Sequence, residues 1–285
     1  MDHVNILLCY RPYPAVVSLG SWYGALPIAN ALTSDTAEVA RSTNTALAST
    51  RFKLDFVSQQ RLKAIAIRGI NASQSCRYRF RAYTQSAMTT EVYDTGWIDV
   101  FPSSWTIATP WESPDFWIGS QTLWRDEERR PSIIHYLSEV VTAAAWLIEF
   151  DDTANPDGYL QFDRVFAAEF WQPSLNYTTQ GNGLSFIDQT AVETSVNGVE
   201  SFDRKIALKS FRFGFDYLDQ AEAFANGYDL NRWAGSDREV LVIPDPLDTA
   251  NTMTRSFIGR LNRMDALAQV AAGYAAIGYE IKELV

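Results

Sequence analysis

Hydrophobic and polar residues alternate along many short segments of this chain, and Gly, Asn, Asp or Pro closes most of these segments. Alternation with a period of two, in runs rich in β-branched and aromatic residues, is typical of the strands of a sandwich or barrel. The pattern therefore predicts a mainly β protein, with strands in seven segments: residues 51–57, 62–70, 76–84, 97–100, 145–150, 159–166 and 206–215. Apart from Lys63 and Arg68, residues 62–70 are apolar on both faces, which predicts a central strand.

Helical spacing of apolar residues is found in two segments, 217–226 and 264–274, of which the second is rich in alanine. A third candidate helix covers residues 131–142. No segment repeats itself at a period of about 20–50 residues, so a solenoid or a propeller is disfavoured.

The length of the chain predicts two domains, because single hydrophobic cores usually stop growing near about 250 residues and this chain has 285. The best boundary follows residues 170–173, where an aromatic strand ends in proline and a polar, glycine-containing stretch begins. We therefore predict one domain over residues 1–172 and a second over residues 173–285. Residues 33–48, rich in Ser, Thr and Ala, are predicted to form an N-terminal arm or a long loop of the first domain.

The charge of the chain restricts its partners. A formal net charge of −10 and a pI near 4.7 argue against nucleic acid, which requires a basic protein face. The longest apolar stretch, residues 140–148, is too short to span a bilayer, and the N-terminus lacks the basic region of a secretion signal. Two cysteines, Cys9 and Cys76, exclude a disulfide framework. We expect a protein without a membrane span, synthesised in the cytoplasm, with reduced thiols.

The segment from residue 52 to residue 84 contains a strand, a turn, a hydrophobic strand that ends in Gly-Ile-Asn, and a strand in which Arg alternates with aromatic residues. This order resembles the opening of galactose-binding-like (discoidin-type) jelly rolls. Residues 20–30 and 146–162 are similar to the first and last strands of such domains in phage virion proteins. The resemblance covers roughly residues 20–172 and implies a jelly-roll β-sandwich, followed by a smaller β-rich domain with one or two helices.

A second resemblance lies in the C-terminal part of the chain. The hydrophobic strands and intervening segments at residues 211–218, 231–235, 239–244, 257–261 and 279–284 are similar to those of minor and distal tail proteins of siphophages. Such proteins form rings or spikes around the tail axis. The resemblance implies a structural protein of the virion tail tip, synthesised in the host cytoplasm, that acts as a homo-oligomer with other tail proteins as partners. It implies no catalysis and no cofactor.

Five of the nine tryptophans lie between residues 97 and 124, and four of them recur every six or seven residues: Trp105, Trp111, Trp117 and Trp124. Proline residues between them disfavour a continuous core strand. Large rings in such a segment either cover the core or form a surface for a partner, because exposed aromatic patches usually mark interaction sites. We predict that these four residues contact another virion protein, with a glycan of the host surface as the alternative.

An acidic turn at residues 151–158 holds Asp151, Asp152, Asn155 and Asp157 around a Pro-Asp-Gly sequence. Oxygen ligands of this kind can bind calcium. Their spacing does not match the EF-hand loop, and Asx residues before Gly usually form turns. We therefore predict no metal site and keep these four residues as the weak calcium candidates.

Residues for catalysis are few. His3 and His135 are the two histidines, and the sequence contains no Gly-x-Ser-x-Gly elbow, zinc motif or nucleotide-binding loop. A glycan hydrolase requires two suitably spaced carboxylates, for which Glu149, Asp151 and Glu169 are the first candidates among 34 acidic residues. The expected function is therefore non-enzymatic assembly in a tail tip. The first alternative is a carbohydrate-binding module for adhesion, and the second is a glycan hydrolase.

Overall fold

The computed structural model describes residues 4–101, 111–112, 131–178, 181–249 and 251–284. These residues form β1 (Leu7–Pro12), β2 (Ala15–Ser18), β3 (Ala40–Arg41), β4 (Phe52–Arg68), β5 (Arg77–Tyr83), β6 (Glu91–Asp94), β7 (Ile98–Asp99), β8 (Ile133–Asp151), β9 (Gln161–Phe162), β10 (Arg164–Phe166), β11 (Ala168–Trp171), β12 (Gly183–Ile187), β13 (Ala191–Thr194), β14 (Glu200–Asp203), β15 (Leu208–Asp219), β16 (Glu239–Ile243), β17 (Phe257–Met264), β18 (Ala268–Ala271) and β19 (Tyr274–Glu283). The helical segments are short: a 3-10 helix at Ile28–Leu32, α-helices at Leu47–Thr50, Gln220–Glu222, Asp229–Ala234 and Thr252–Arg255, and a π-helix at Ala223–Tyr228. The prediction of a mainly β protein is confirmed.

Contacts between Cα atoms divide the chain into two compact units. The sandwich unit comprises Pro12–Phe170 and Asp248–Met253, and the long-sheet unit comprises Met1–Arg11, Trp171–Leu247 and Thr254–Val285. Whether residues 1–172 and 173–285 form two domains, as the sequence predicts, stays a prediction.

The sheet of the sandwich unit has the strand order β10-β4-β8-β5-β6, with β2 also paired to β4 and β7 to β5. Its two longest strands, β4 and β8, pair antiparallel in three stretches. Phe52 lies opposite Ile148 in the first stretch, and Ile67 lies opposite Ile133 in the last. The register shifts between Asp55 and Gln60, where Val57 is 86% exposed, and again between Leu62 and Ala64. The longer of these bulges, at residues 56–59, divides the ribbon into two halves.

The β4–β8 ribbon bends back on itself and so supplies both layers of the sandwich. The His135 ring of β8 lies 5.4 Å from the Phe80 ring, although Phe80 is paired with Ile148, thirteen residues further along the same strand. Ile65 and Leu137, from beyond the bulge, share one hydrophobic core with Phe80 of β5 and Ile148 of β8. Strands that pass from one layer to the other through a bulge are a known way to build a sandwich corner. The predicted central strand at residues 62–70 is confirmed, because residues 62–68 are buried and lie between β10 and β8.

The long-sheet unit has the strand order β1-β16-β17-β19-β15-β12, and β18 also pairs with β19. Residues 220–234 form three consecutive helices, which we call the helical segment. Aromatic side chains of β15 and β19 pack against it, and the Tyr279 hydroxyl donates a hydrogen bond of 3.0 Å to the Gly227 carbonyl. Residues 4–11, predicted to belong to the first domain, instead contribute β1, which pairs with β16.

Two predicted helices are wrong and a third begins late. Residues 131–142 belong to strand β8, and residues 264–274 hold the end of β17, all of β18 and a turn at Gly273, whose φ is +80°. Intrinsic helix propensity differs by less than about 1 kcal/mol per ordinary residue, so burial and strand pairing override it. In the predicted helix at 217–226, the helix starts at Gln220, where the Asp219 side chain caps it.

The segment 33–48 is not an arm, because Ala40 in β3 is fully buried and pairs with β9.

Beyond β12 and β15, the hairpin that they form continues as strands β13 and β14. Ile187 lies opposite Leu208, and pairing resumes from Ala191 opposite Asp203 to Thr194 opposite Glu200. Residues 191–203 are all exposed, and we call them the β-arm.

Candidate functional site

Three loops meet at one end of the sandwich unit. One follows β4, a second follows β8, and the third carries β3. Strand β3 pairs with β9 in a register that places Arg41 opposite Gln161, and the amide of Asn71 donates to the carbonyl of Gln161 at 3.0 Å. Loops held at the end of a rigid sandwich are common positions for binding residues.

The loops after β4 and β8 are joined by a buried acid. Asp152, 2% exposed, accepts hydrogen bonds from the amide of Ser73 at 3.0 Å, from the Ser73 hydroxyl, and from the side-chain amide of Asn155 at 2.8 Å. The Asn155 amide also donates to the Asn71 carbonyl at 2.9 Å. Because buried polar groups that are fully hydrogen-bonded rigidify their surroundings, these contacts fix the shape of both loops.

Asn71 orders the exposed part of the same loops. Its Oδ1 accepts from the amide of Gln161 at 2.7 Å, and its Nδ2 donates to Asp157 Oδ2 at 2.8 Å and to the Tyr159 carbonyl at 3.1 Å. One side chain thus positions two residues of the second loop and the first residue of β9.

Arg41 is held against the ring of Tyr159. Its guanidinium carbon lies 4.2 Å from the ring centroid, and its Nε and Nη2 donate to Gln161 Oε1 at 2.9 and 2.7 Å. A guanidinium over an aromatic face is attracted by the ring quadrupole, and the two hydrogen bonds fix its plane.

This arrangement leaves three polar atoms uncommitted. Among the described residues, Nη1 of Arg41, Oδ1 of Asp157 and the Tyr159 hydroxyl have no hydrogen-bond partner. Asp157 is exposed, and Arg41 and Tyr159 are half-buried. We call Arg41, Asp157 and Tyr159 the Arg41–Tyr159 surface. It offers a cationic donor, an anionic acceptor and an aromatic ring on a rigid loop framework.

The weak calcium candidates are used in protein contacts. Asp152, Asn155 and Asp157 hold the loops as described, and Asp151 forms an ion pair with Arg77 of β5. Across the described ranges, no group of three or more His, Cys, Asp or Glu side chains could hold a metal ion.

The three carboxylates considered for glycan hydrolysis, Glu149, Asp151 and Glu169, differ in their exposure and in their partners. Glu149, 5% exposed, accepts from Arg81 Nε and Nη2 at 3.1 and 2.7 Å, whereas Glu169 is exposed. Glu149 and Asp151 thus belong to a row of cross-strand ion pairs along β5 and β8. In the same row, the hydrogen bonds from Arg79 hold the pKa of Asp94 at about 2. These carboxylates already have cationic partners, which is typical of a structural role.

His135 links the two layers of the sandwich. Its Nδ1 lies 3.1 Å from the Tyr78 hydroxyl and its Nε2 lies 3.2 Å from the Tyr93 hydroxyl. Burial lowers the pKa of His135 to about 4, because desolvation disfavours the imidazolium ion. The imidazole is therefore neutral at pH 7.

The structure describes one residue of the predicted tryptophan surface. Trp111 is 67% exposed, whereas Trp105, Trp117 and Trp124 lie outside the described residues. The interaction surface stays a prediction. Elsewhere Trp146 and Trp171 are buried in the cores of their units.

A small cavity of about 180 Å³ lies in the long-sheet unit between Tyr177, Phe211 and Arg255. Small-molecule sites usually have volumes of about 300–1,000 Å³, so we assign it no ligand. In the part of the chain that the structure describes, no helix has both the length and the apolar character needed to cross a bilayer.

Sequence reasoning did not find the Arg41–Tyr159 surface. Arg41 lies in a segment that lacks periodicity, and Tyr159 lies in a predicted strand. The sequence predicts Asp157 to be a turn residue, with calcium binding as the weak alternative. The one available signal was the Pro-Asp-Gly turn before Tyr159, which predicts a rigid loop next to an aromatic residue.

No protein-family model and no curated protein sequence matches this chain. Among solved structures, the first carbohydrate-binding module of family 32 (CBM32-1) from a Clostridium perfringens family 31 glycoside hydrolase aligns with 9% identity and a TM-score of 0.37. The alignment covers 56% of this chain and 97% of the module. The family 32 module of C. perfringens NanJ, in complex with galactose, aligns with 13% identity and a TM-score of 0.38 over 57% of this chain and 99% of the module. The family 32 module of AlyQ, in complex with 4,5-unsaturated mannuronic acid, gives 15% identity, a TM-score of 0.35 and coverage of 55% and 98%. We draw no functional argument from similarity of this extent.

Proposed function

We propose that this chain is a non-catalytic carbohydrate-binding protein and that a sugar binds to the Arg41–Tyr159 surface. The observation that carries the proposal is the fixed stacking of Arg41 on Tyr159 at 4.2 Å, together with a carboxylate oxygen of Asp157, in the same loop as Tyr159, that no described residue uses.

The chemistry of this surface suits a sugar. A pyranose presents an apolar face of C–H groups and a rim of hydroxyl groups. Because Arg41 covers one face of the Tyr159 ring, the opposite face would accept the apolar face of the sugar, while Nη1 of Arg41 and Oδ1 of Asp157 would pair with hydroxyls at its rim. Few precisely placed polar groups of this kind give a site its specificity.

The framework around the surface reduces the cost of binding. Gln161 and Asn71 hold Arg41 and Asp157 before any ligand arrives. Side chains that are ordered in advance lose less conformational entropy when the ligand binds. A loop of the same sequence without these contacts would bind more weakly.

The test is titration calorimetry of the full chain with galactose, followed by a panel of neutral and uronic-acid oligosaccharides. We expect binding that falls about tenfold or more in Tyr159→Ala and in Asp157→Asn, since one lost contact of about 1.4 kcal/mol corresponds to a factor of ten. The control is Tyr217→Ala, which removes a tyrosine that is 62% exposed in the long-sheet unit.

Two results would contradict this proposal. One is the absence of binding to every sugar of the panel by a folded wild-type chain. The other is sugar binding that Tyr159→Ala and Asp157→Asn leave as strong as in Tyr217→Ala.

The second candidate is a structural role in a phage tail tip, in the virion, with other tail proteins as partners. The β-arm favours it, because Val192, Val199 and Phe202 are each more than half exposed on a hairpin that no described strand supports. Exposed apolar residues on a protruding element usually mark a contact with another protein. Mass spectrometry of purified virions is the test, and absence of the chain from particles would exclude this role.

A further inference from the structure

Strand β12 is an exposed edge without charged side chains. It reads Gly-Leu-Ser-Phe-Ile and pairs on one side with β15, from Gly183 opposite Arg212 to Ile187 opposite Leu208. In the described part of the chain, no strand pairs with its other side. Leu184 is 36% exposed and Phe186 is 60% exposed.

Proteins usually protect such edges. Lysine, proline, a bulge or a covering loop prevents the unpaired N–H and C=O groups from joining a second chain. None of the five residues of β12 is charged or is a proline, and its register with β15 is continuous. An apolar, regular edge of this kind is a template for another strand.

The β-arm extends the same edge and has an apolar face of its own. Val192 lies opposite Phe202, and these two side chains are 53% and 57% exposed. A two-stranded hairpin without further support is at best marginally stable in water. A partner strand that pairs with β12 would therefore also lie close to the apolar face of the β-arm.

Charge indicates which partner fits. The chain has a net charge of −10, so two copies repel each other at long range and an interface between them must avoid facing acidic groups. Strand β12 is an exception, because it can pair with a copy of itself without placing like charges opposite each other. Antiparallel pairing centred on Ser185 would place Leu184 of each copy opposite Phe186 of the other, on the same face of the joined sheet.

We propose that a second copy of this chain pairs its own β12 antiparallel to β12, about a two-fold axis that passes near Ser185. The interface is isologous, so the same edge contributes from both copies and the assembly closes at two. It lies in the long-sheet unit and does not depend on sugar binding.

The experiment measures the mass of the full chain in solution by light scattering and sedimentation across a concentration series. We expect a species of twice the 32.1 kDa chain mass. Phe186→Lys should give the single-chain mass, because it places a charge at the centre of the paired edge. The matched control is Phe224→Lys, at a residue that is 52% exposed on the helical segment of the same unit and should leave the dimer intact.

Hydrogen exchange gives an independent measurement. The outward amides of residues 183–187 should be protected in the wild type and exchange freely in Phe186→Lys. Ser185→Lys is a second variant, so that misfolding of one variant, detected by circular dichroism, does not decide the result. Both variants should bind sugar as the wild type does.

The proposal is overturned by a wild-type chain that stays monomeric at every concentration. A dimer that persists in both lysine variants, or an assembly larger than two copies, overturns it as well.

Discussion

Ile67→Asp is the substitution whose effect follows most directly from the structure of the sandwich unit. Ile67 is fully buried in β4, and its cross-strand neighbours are Ile133 of β8 and Val165 of β10. No cationic side chain is among these two neighbours, so an aspartate at this position would be buried next to apolar groups.

The size of the effect has two parts. Loss of the buried isoleucine side chain costs about 1.5–3 kcal/mol. An uncompensated buried charge costs about 3–5 kcal/mol more. Native domains are stable by about 5–15 kcal/mol, so Ile67→Asp is expected to remove most of the free energy of unfolding or to unfold the unit outright.

The assay is urea denaturation followed by tryptophan fluorescence and near-ultraviolet circular dichroism, since Trp146 is fully buried in the same core. Val57→Asp is the matched control, because it makes a similar change on the same strand at a residue that is 86% exposed. We expect the control to shift stability by no more than about 0.5 kcal/mol. Ile67→Val, which leaves the charge unchanged, should cost about 0.5–1.5 kcal/mol.

If Ile67→Asp unfolds at the same urea concentration as Val57→Asp, Ile67 is not in the core and the sandwich described for this unit is wrong. A loss equal to that of Ile67→Val would show that the carboxylate reaches water, and would refute the burial of this face of β4.

Three other predictions concern pH, packing and metal. The pKa of His135 is about 4 in the folded chain and about 6.5 when unfolded, so its contribution is fully present above pH 6.5 and is lost as pH falls towards 4. The loss should reach about 3 kcal/mol in denaturation curves and be much smaller in His135→Gln. Gly259→Ala should destabilise the long-sheet unit by more than about 1 kcal/mol, because the added Cβ would clash with the Lys282 carbonyl oxygen. Gly214→Ala, whose added Cβ would have its nearest neighbour at 3.6 Å, should melt near the wild-type temperature. A chelator should leave the melting temperature unchanged; a calcium-dependent rise that Asp157→Ala abolishes would contradict this.

Several strands could be predicted from the sequence because their burial follows a simple period. The apolar run in β4 and the alternation of Arg with aromatic residues in β5 both indicate strands, and both form them. The alanine-rich segment at residues 264–274 has helical spacing, but it forms β18 and the turn into β19, in which Ala275, Ile277 and Tyr279 alternate into the core. Alternation was the stronger signal there, because burial outweighs propensity.

The candidate site could not be predicted in the same way. Arg41 and Tyr159 are far apart in the sequence, and their contact depends on the pairing of two-residue strands, β3 and β9. Such short strands carry no periodicity. The carboxylates that the sequence did single out, Glu149 and Asp151, form ion pairs whose arginine partners lie on another strand. Only the register of β5 with β8 identifies those partners.

The bend in the β4–β8 ribbon also affects how fast the sandwich unit forms. Its first stretch pairs Phe52 with Ile148, and even its nearest pair in sequence, Ile67 with Ile133, requires the chain to close a loop of more than 60 residues before the two strands meet. Folding rates fall as contacts become more distant in sequence. Neither layer can form early and wait for the other, since both are made from the same two strands. Folding of this unit is therefore expected to be slow and concerted, with the apolar face of β4 open to other chains until β8 has been synthesised and paired.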